Sequence, residues 1–187
     1  MPSKVVEEFP ERTSLAARRP ELLTLVGVTV KAGYKVKQGD VIGKITVGGM
    51  YRRRARTLAT GTGFAVDSPV GKVEDASLFI AGDVLKNANG QTIGTVAANG
   101  VNTTANPDEI TLTANAAVAV AAGAAVLGSD GSQVAKGISD DETDGTQDTP
   151  VAAVIGGYLD ESKLLGLDAT AKDELAGASV AGGVFKL

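Results

Sequence analysis

The chain has 187 residues and a net charge of −4, with no cysteine, histidine or tryptophan; its length allows one domain or two small ones, burying roughly two-thirds of the unfolded surface. Lack of cysteine excludes disulfides and thiolate metal sites, and lack of histidine removes the commonest proton shuttle near neutrality. An enzyme would have to work through carboxylates or lysine, so the chain is expected to be no enzyme and to carry no cofactor, and the acidic balance gives no overall attraction for nucleic acid or anionic membranes.

Met1–Pro20 holds Pro2, Pro10 and Pro20, three arginines and few apolar residues. It cannot bury enough surface to offset the ordering of its backbone, and residues 1–20 read as a flexible arm. Its acidic residues and prolines stand where a signal peptide would need an apolar stretch.

From Leu22 the pattern turns to β. Leu23, Leu25 and Val28 begin a strand-like run, and further runs at Val36 and at Val41, Ile42, Ile45 and Val47 flank a turn over Lys37–Asp40. Gly39 can take the positive φ that a tight turn demands. The phrase then echoes twice: Leu78–Ile80 before Gly82, and Val118 and Val120 before Gly123, with Gly39, Gly82 and Gly123 spaced 43 and 41 residues apart. Only the short phrase recurs, and it is what any short β-arch looks like, so an ancestral repeat has little support.

"NANG", ending in Asn89 and Gly90, is a hairpin signal with Thr92–Val96 as the returning strand. Ile110 and Leu112 mark another alternating strand. Alanine favours helix, so Ala116–Ala122 is expected to form one helical turn that Gly123 ends. The apolar run Ala116–Leu127 is 12 residues, short of the about 20 of a membrane span. Val151–Ile155 reads as a strand. Near the end, Thr170 with Asp173 resembles a capping pair, Lys172–Ala176 a helix body and Gly177 its stop. "GGVFKL" reads as a closing strand.

Few motifs could carry chemistry. "DDETDG" sets Asp140, Glu142 and Asp144 at alternate positions, as a calcium loop begins, but its twelfth position is Val151 rather than a glutamate. A solvated loop is the reading. "YRRRAR", Tyr51–Arg56, is the densest positive cluster; it could grip phosphate, yet no nucleic-acid module surrounds it. Its better functional reading is a basic patch facing an acidic partner protein, beside a solvated strand end or subunit contact. "GTGFAV" and "GVTVKAG" lack the lysine of a P-loop and the spacing of a dinucleotide fingerprint. No histidine is present to activate a serine.

Three stretches together, "VTVKAGYKVKQGDVIGKITVGGMY", "DGTQDTPVAAVIGGYLDESKL" and "TAKDELAGASVAGGVFKL", resemble the lambda-type bacteriophage head decoration proteins, also called capsid stabilising or cement proteins. The likeness covers Ala32–Tyr51, Asp144–Ile155 and Asp168–Leu187, roughly half the chain. Where the family has a short loop, this sequence has Arg52–Thr143, which looks like an inserted β module. The resemblance implies a mainly β fold with one or two short C-terminal helices: a small β-barrel or β-sandwich-like decoration domain over residues 21–56 and 138–187, carrying an inserted β domain over residues 57–137.

It further implies a homotrimer at three-fold positions on the outer surface of a mature icosahedral head, made in the host cytoplasm. The partner is then the major capsid protein, with neither direct nucleic-acid nor membrane binding, and the arm orders against the shell. The residues expected to touch the capsid are Glu7, Phe9, Arg12, Arg18 and Arg19 in the arm, with Arg52, Arg53 and Arg54 as a second patch. Two rivals are a phage tail or surface adhesion module, and a biotinyl or lipoyl carrier, which "VKAGYKVKQGDVIGKI" also resembles. A carrier needs an exposed lysine beside methionine, and neither Met1 nor Met50 has one adjacent.

Overall fold

The computed structural model describes residues 23–177 and 185–186; the arm and its five candidate contacts lie outside them. Among the described residues there are twelve strands and one α-helix: β1 (Thr24–Val30), β2 (Val41–Lys44), β3 (Tyr51–Arg53), β4 (Arg56–Phe64), β5 (Val70–Val73), β6 (Val84–Asn87), β7 (Thr92–Asn102), β8 (Asp108–Leu112), β9 (Ala125–Gly128), β10 (Ala135–Ser139), β11 (Thr149–Tyr158), α1 (Ala169–Gly177) and β12 (Phe185–Lys186). The protein is mainly β, with a helix near its C-terminal end and barrel-like sheets.

Strand pairing separates two barrels. In the first, β1 pairs with β11, β11 with β10, β10 with β2, β2 with β3, and β3 returns to β1 at Tyr51 and Val30. The second closes in the order β4-β5-β8-β7-β6-β9. All six of its strands lie in sequence between β3 and β10.

Alternation along each strand sorts side chains onto two faces. In the first barrel Val28, Val30, Val36, Ile42, Val151 and Ala153 form one buried cluster. Val41, Ile138, Val154 and Ile155 form another with Ala171 and Leu175 of α1, a pair four apart that sets one helix face against the sheet. The second barrel is filled by Phe64, Val73, Leu85, Ile93, Val96, Ile110, Leu112 and Val126, with Leu78 of the 3-10 turn Ala76–Leu78 and Phe79, which follows it.

Two expectations are corrected. Ala116–Ala122 is no helical turn: Val120 exchanges backbone hydrogen bonds with Phe64, N to O at 2.9 Å each way, and Ala116 and Val120 are buried in the second barrel's core. Pairing and burial outweigh the helix preference of alanine. The helix cap is Asp168, not Thr170: its Oδ1 accepts the Ala171 N–H at 2.6 Å and its carbonyl accepts the Lys172 N–H at 3.0 Å.

Candidate functional site

The recurring phrase builds one local structure three times. At Lys37–Asp40, Ile80–Asp83 and Ala121–Ala124 the fourth residue's N–H reaches the first residue's carbonyl at 3.1 Å. The third residue is Gly39, Gly82 or Gly123, with φ of 90°, 88° and 81°. These are type II turns, in which glycine supplies the positive φ. In the first two, the closing aspartate also turns back on the loop: Asp40 Oδ2 accepts the Lys37 N–H at 2.7 Å, and Asp83 Oδ2 the Ile80 N–H at 3.1 Å. The third has Ala124 there, and no carboxylate.

Those two aspartates, one from each barrel, are gripped by neighbouring arginines of β3. Arg52 Nη1 donates to Asp83 Oδ2 at 2.7 Å, its Nε lies 3.5 Å from Asp130, and its guanidinium sits 4.3 Å from the Tyr34 ring centroid. Tyr34 donates its hydroxyl to Asp83 Oδ1 at 2.8 Å. Burial, opposed by the Arg52 charge and reinforced by Asp83, pushes that hydroxyl's pKa up, so it stays a donor. On the opposite side of the strand, Arg53 lies 3.3 Å from Asp40 and 3.0 Å from Asp75, and donates to Ser77 at 2.9 Å. Arg54 then binds both Asp168 oxygens at 3.0 Å, Glu174 and the Gln133 carbonyl, and Arg56 also reaches Asp168 at 3.0 Å.

The structure therefore brings Arg52, Arg53 and Arg54 together with carboxylates of their own chain. Arg52 is 0% exposed and Arg54 4%, while Arg53 is partly exposed at the junction. Sequence reasoning missed Tyr34, Asp40, Asp75, Asp83, Asp130, Asp168 and Glu174; the only local signal was the Gly-Asp ending shared by two of the three turns. Beside the ladder is a cleft of about 510 Å³ lined by Val41, Leu58, Leu78 and Leu164 together with Arg56 and Asp168. Its arginines are ion-paired to carboxylates of the same chain. Among the described residues no cluster of His, Cys, Asp or Glu could hold a metal ion. In the acidic loop, Asp141 accepts the Ala152 N–H and Asp144 the Thr146 N–H.

Acid is expected to loosen this junction. Burial raises the Asp168 pKa, but the Ala171 N–H and the Arg54 and Arg56 charges prevail, and the carboxyl sits below its ordinary 3.8. A depressed pKa gives stability that is present above 3.8 and lost as pH falls through the folded value. Asp40 has the opposite sign: burial outweighs the Lys37 N–H and Arg53 and raises its pKa, so its contribution favours the fold at low pH and fades as pH rises through that value. Thermal unfolding followed from about pH 6 to pH 3 is expected to show a falling midpoint at the acid end, and Asp168→Asn is expected to flatten that fall.

Compared with known proteins, the chain matches no family model, no curated protein and no solved structure.

Proposed function

We propose that this protein is a non-enzymatic decoration protein that binds the outside of a mature icosahedral phage head and stiffens it against the pressure of packaged DNA. One observation carries the reading. The three stretches that resemble the decoration family are far apart in sequence, yet they run through the end of β1, β2, the start of β3, β11, α1 and β12, which pair or pack in one unit, the first barrel. A likeness of scattered short motifs gains weight when the motifs share one folded unit. The first barrel is then the part seated on the shell, as one subunit of a trimer, and the second barrel is an added module held to it by the arginine ladder.

The mechanism needs no reactive group. A ligand that binds only the expanded lattice stabilises it by RT ln(1 + [L]/Kd), about 4 kcal/mol per site at a thousandfold excess over Kd. The 22 residues ahead of the described chain are long enough to add backbone hydrogen bonds to a shell strand edge, and several arms per assembly multiply weak contacts.

The test uses expanded heads of the phage that carries the gene. The full chain is expected to co-sediment with the heads and to raise the temperature at which they release DNA. Removing residues 2–19 is expected to weaken binding at least tenfold. Failure of the intact chain to bind expanded heads overturns the reading; undiminished binding after the deletion overturns the role of the arm.

A further inference from the structure

We infer that the outer edge of β1 is a self-association surface, pairing antiparallel with the same edge of a second copy about a two-fold axis centred on Gly27. This inference stands on the strand itself and does not need the decoration reading.

The second barrel is closed, whereas in the first β1 carries a long open strand edge. One side of β1 pairs with β11 along its whole length, whereas the other, among the described residues, meets β3 only at Val30. Residues 24–29 therefore have one unpaired edge. Their surroundings are open too: Thr24–Gly27 and Thr29 are exposed, Leu25 at 53% and Val26 at 39%, on opposite faces of the strand. Folded proteins guard such edges with charges, proline or a covering segment. The sequence TLVGVTV has neither a charge nor a proline, and a charge-free edge offers no electrostatic means of selecting a foreign strand.

What it does offer is self-complementarity. Read outward from Gly27, the strand runs Val26 and Val28, then Leu25 and Thr29. An antiparallel pair centred there sets each valine against a valine and each leucine against a threonine methyl, cross-strand pairs that stabilise sheets. The hydrogen-bond phase agrees. The Lys31 N–H donates to the Tyr51 carbonyl at 2.9 Å on the β3 side, and alternate residues point their N–H and C=O to the same edge. Thr29, Gly27 and Leu25 thus face outward, so Gly27 can exchange both bonds with its counterpart, and Leu25 both with Thr29 of the other copy.

Like-edge pairing is isologous and closes after two copies, so it joins subunits or small rings pairwise and cannot itself build a three-fold ring. Its area falls well short of the about 1,600 Å² of a standard interface. The free pair is consequently weak and concentration-dependent, and it strengthens wherever copies are held close together.

The natural absence of cysteine gives a clean probe. A Cβ on Gly27 meets nothing within 4 Å, so Gly27→Cys is compatible with the fold. In the inferred pair the Cα atoms of the two introduced cysteines sit about 5.5 Å apart, within disulfide range. Thr29→Cys is the register control, because its two copies lie roughly 13 Å apart along the strands. Under mild oxidation Gly27→Cys is expected to give at least fivefold more covalent dimer on a non-reducing denaturing gel than Thr29→Cys. In sedimentation of the cysteine-free chain, Gly27→Lys is expected to lower the weight-average mass at high concentration, since it sets two like charges face to face. Equal cross-linking of the two cysteine variants, or association unchanged by Gly27→Lys, overturns the inference.

Discussion

Replacing Arg52 with alanine is expected to cost the folded state about 3–5 kcal/mol, the usual consequence of removing one partner from a buried ion pair. Arg52 has no exposed surface, and its loss leaves Asp83, with a side chain 14% exposed, without its guanidinium. Tyr34 loses its stacking partner at the same time. In a chain of this size the melting temperature is expected to fall by about 10 °C.

The placement of chromophores makes the result more informative. All three tyrosines, Tyr34, Tyr51 and Tyr158, lie in the first barrel or its turns, and there is no tryptophan. Tyrosine fluorescence therefore follows the first barrel, while far-ultraviolet circular dichroism follows both. In the wild-type chain the two signals are expected to change together. In Arg52→Ala they are expected to separate, because this side chain ties the Ile80–Asp83 turn of the second barrel to β3 of the first. Coincident curves with a shift below about 2 °C would show that the barrels are coupled by something else. Arg52→Lys keeps the charge but loses the planar fork and the stacking, and is expected to fall between the two.

Gly63→Ala carries the second large effect, confined to the second barrel. Gly63 has φ +62°, and a Cβ there would stand 1.9 Å from the Val120 carbonyl oxygen. A left-handed alanine costs about 1–2 kcal/mol, and moving Val120 away also disrupts its paired hydrogen bonds with Phe64, each worth about 1 kcal/mol. The expected total is about 3 kcal/mol or more, since overpacking adds to both. Dichroism is expected to report the loss at lower urea than tyrosine fluorescence does. Gly82→Ala is the control: φ is also positive, at +88°, but nothing lies within 4 Å of its Cβ. It isolates the backbone cost from the steric one.

Much of the fold was legible because it follows from local rules. Alternating apolar residues marked the strands around Val28, Val41, Ile110 and Val154, and glycine marked the turns at Gly39, Gly82 and Gly123, where the backbone takes positive φ. Failures came where a distant group decides. Thr170 and Asp173 have the local spacing of a cap, but Asp168 is the residue held by Arg54 and Arg56, more than a hundred positions earlier. The arginine cluster itself was visible as charge. Its partners were not, because Asp83, Asp168 and Glu174 lie 31, 114 and 120 residues from the arginines they meet. Composition counts ions; only the folded chain says which of them neutralise one another.

The chain leaves the first barrel after β3 and comes back before β10 at almost the same spot: the Ala55 N–H donates to the Ser132 carbonyl at 3.2 Å, and the Gly128 N–H to the Ala55 carbonyl at 2.8 Å. Such a doorway permits exchange of whatever lies beyond it, since a guest with closely spaced ends would fit the same opening. The arginine ladder adds an admission rule. A replacement module would have to present acidic groups where Asp83 and Asp75 now stand, or buried Arg52 would keep only Asp130, 3.5 Å from its Nε, as a counter-charge and Arg53 would be left with half its grip.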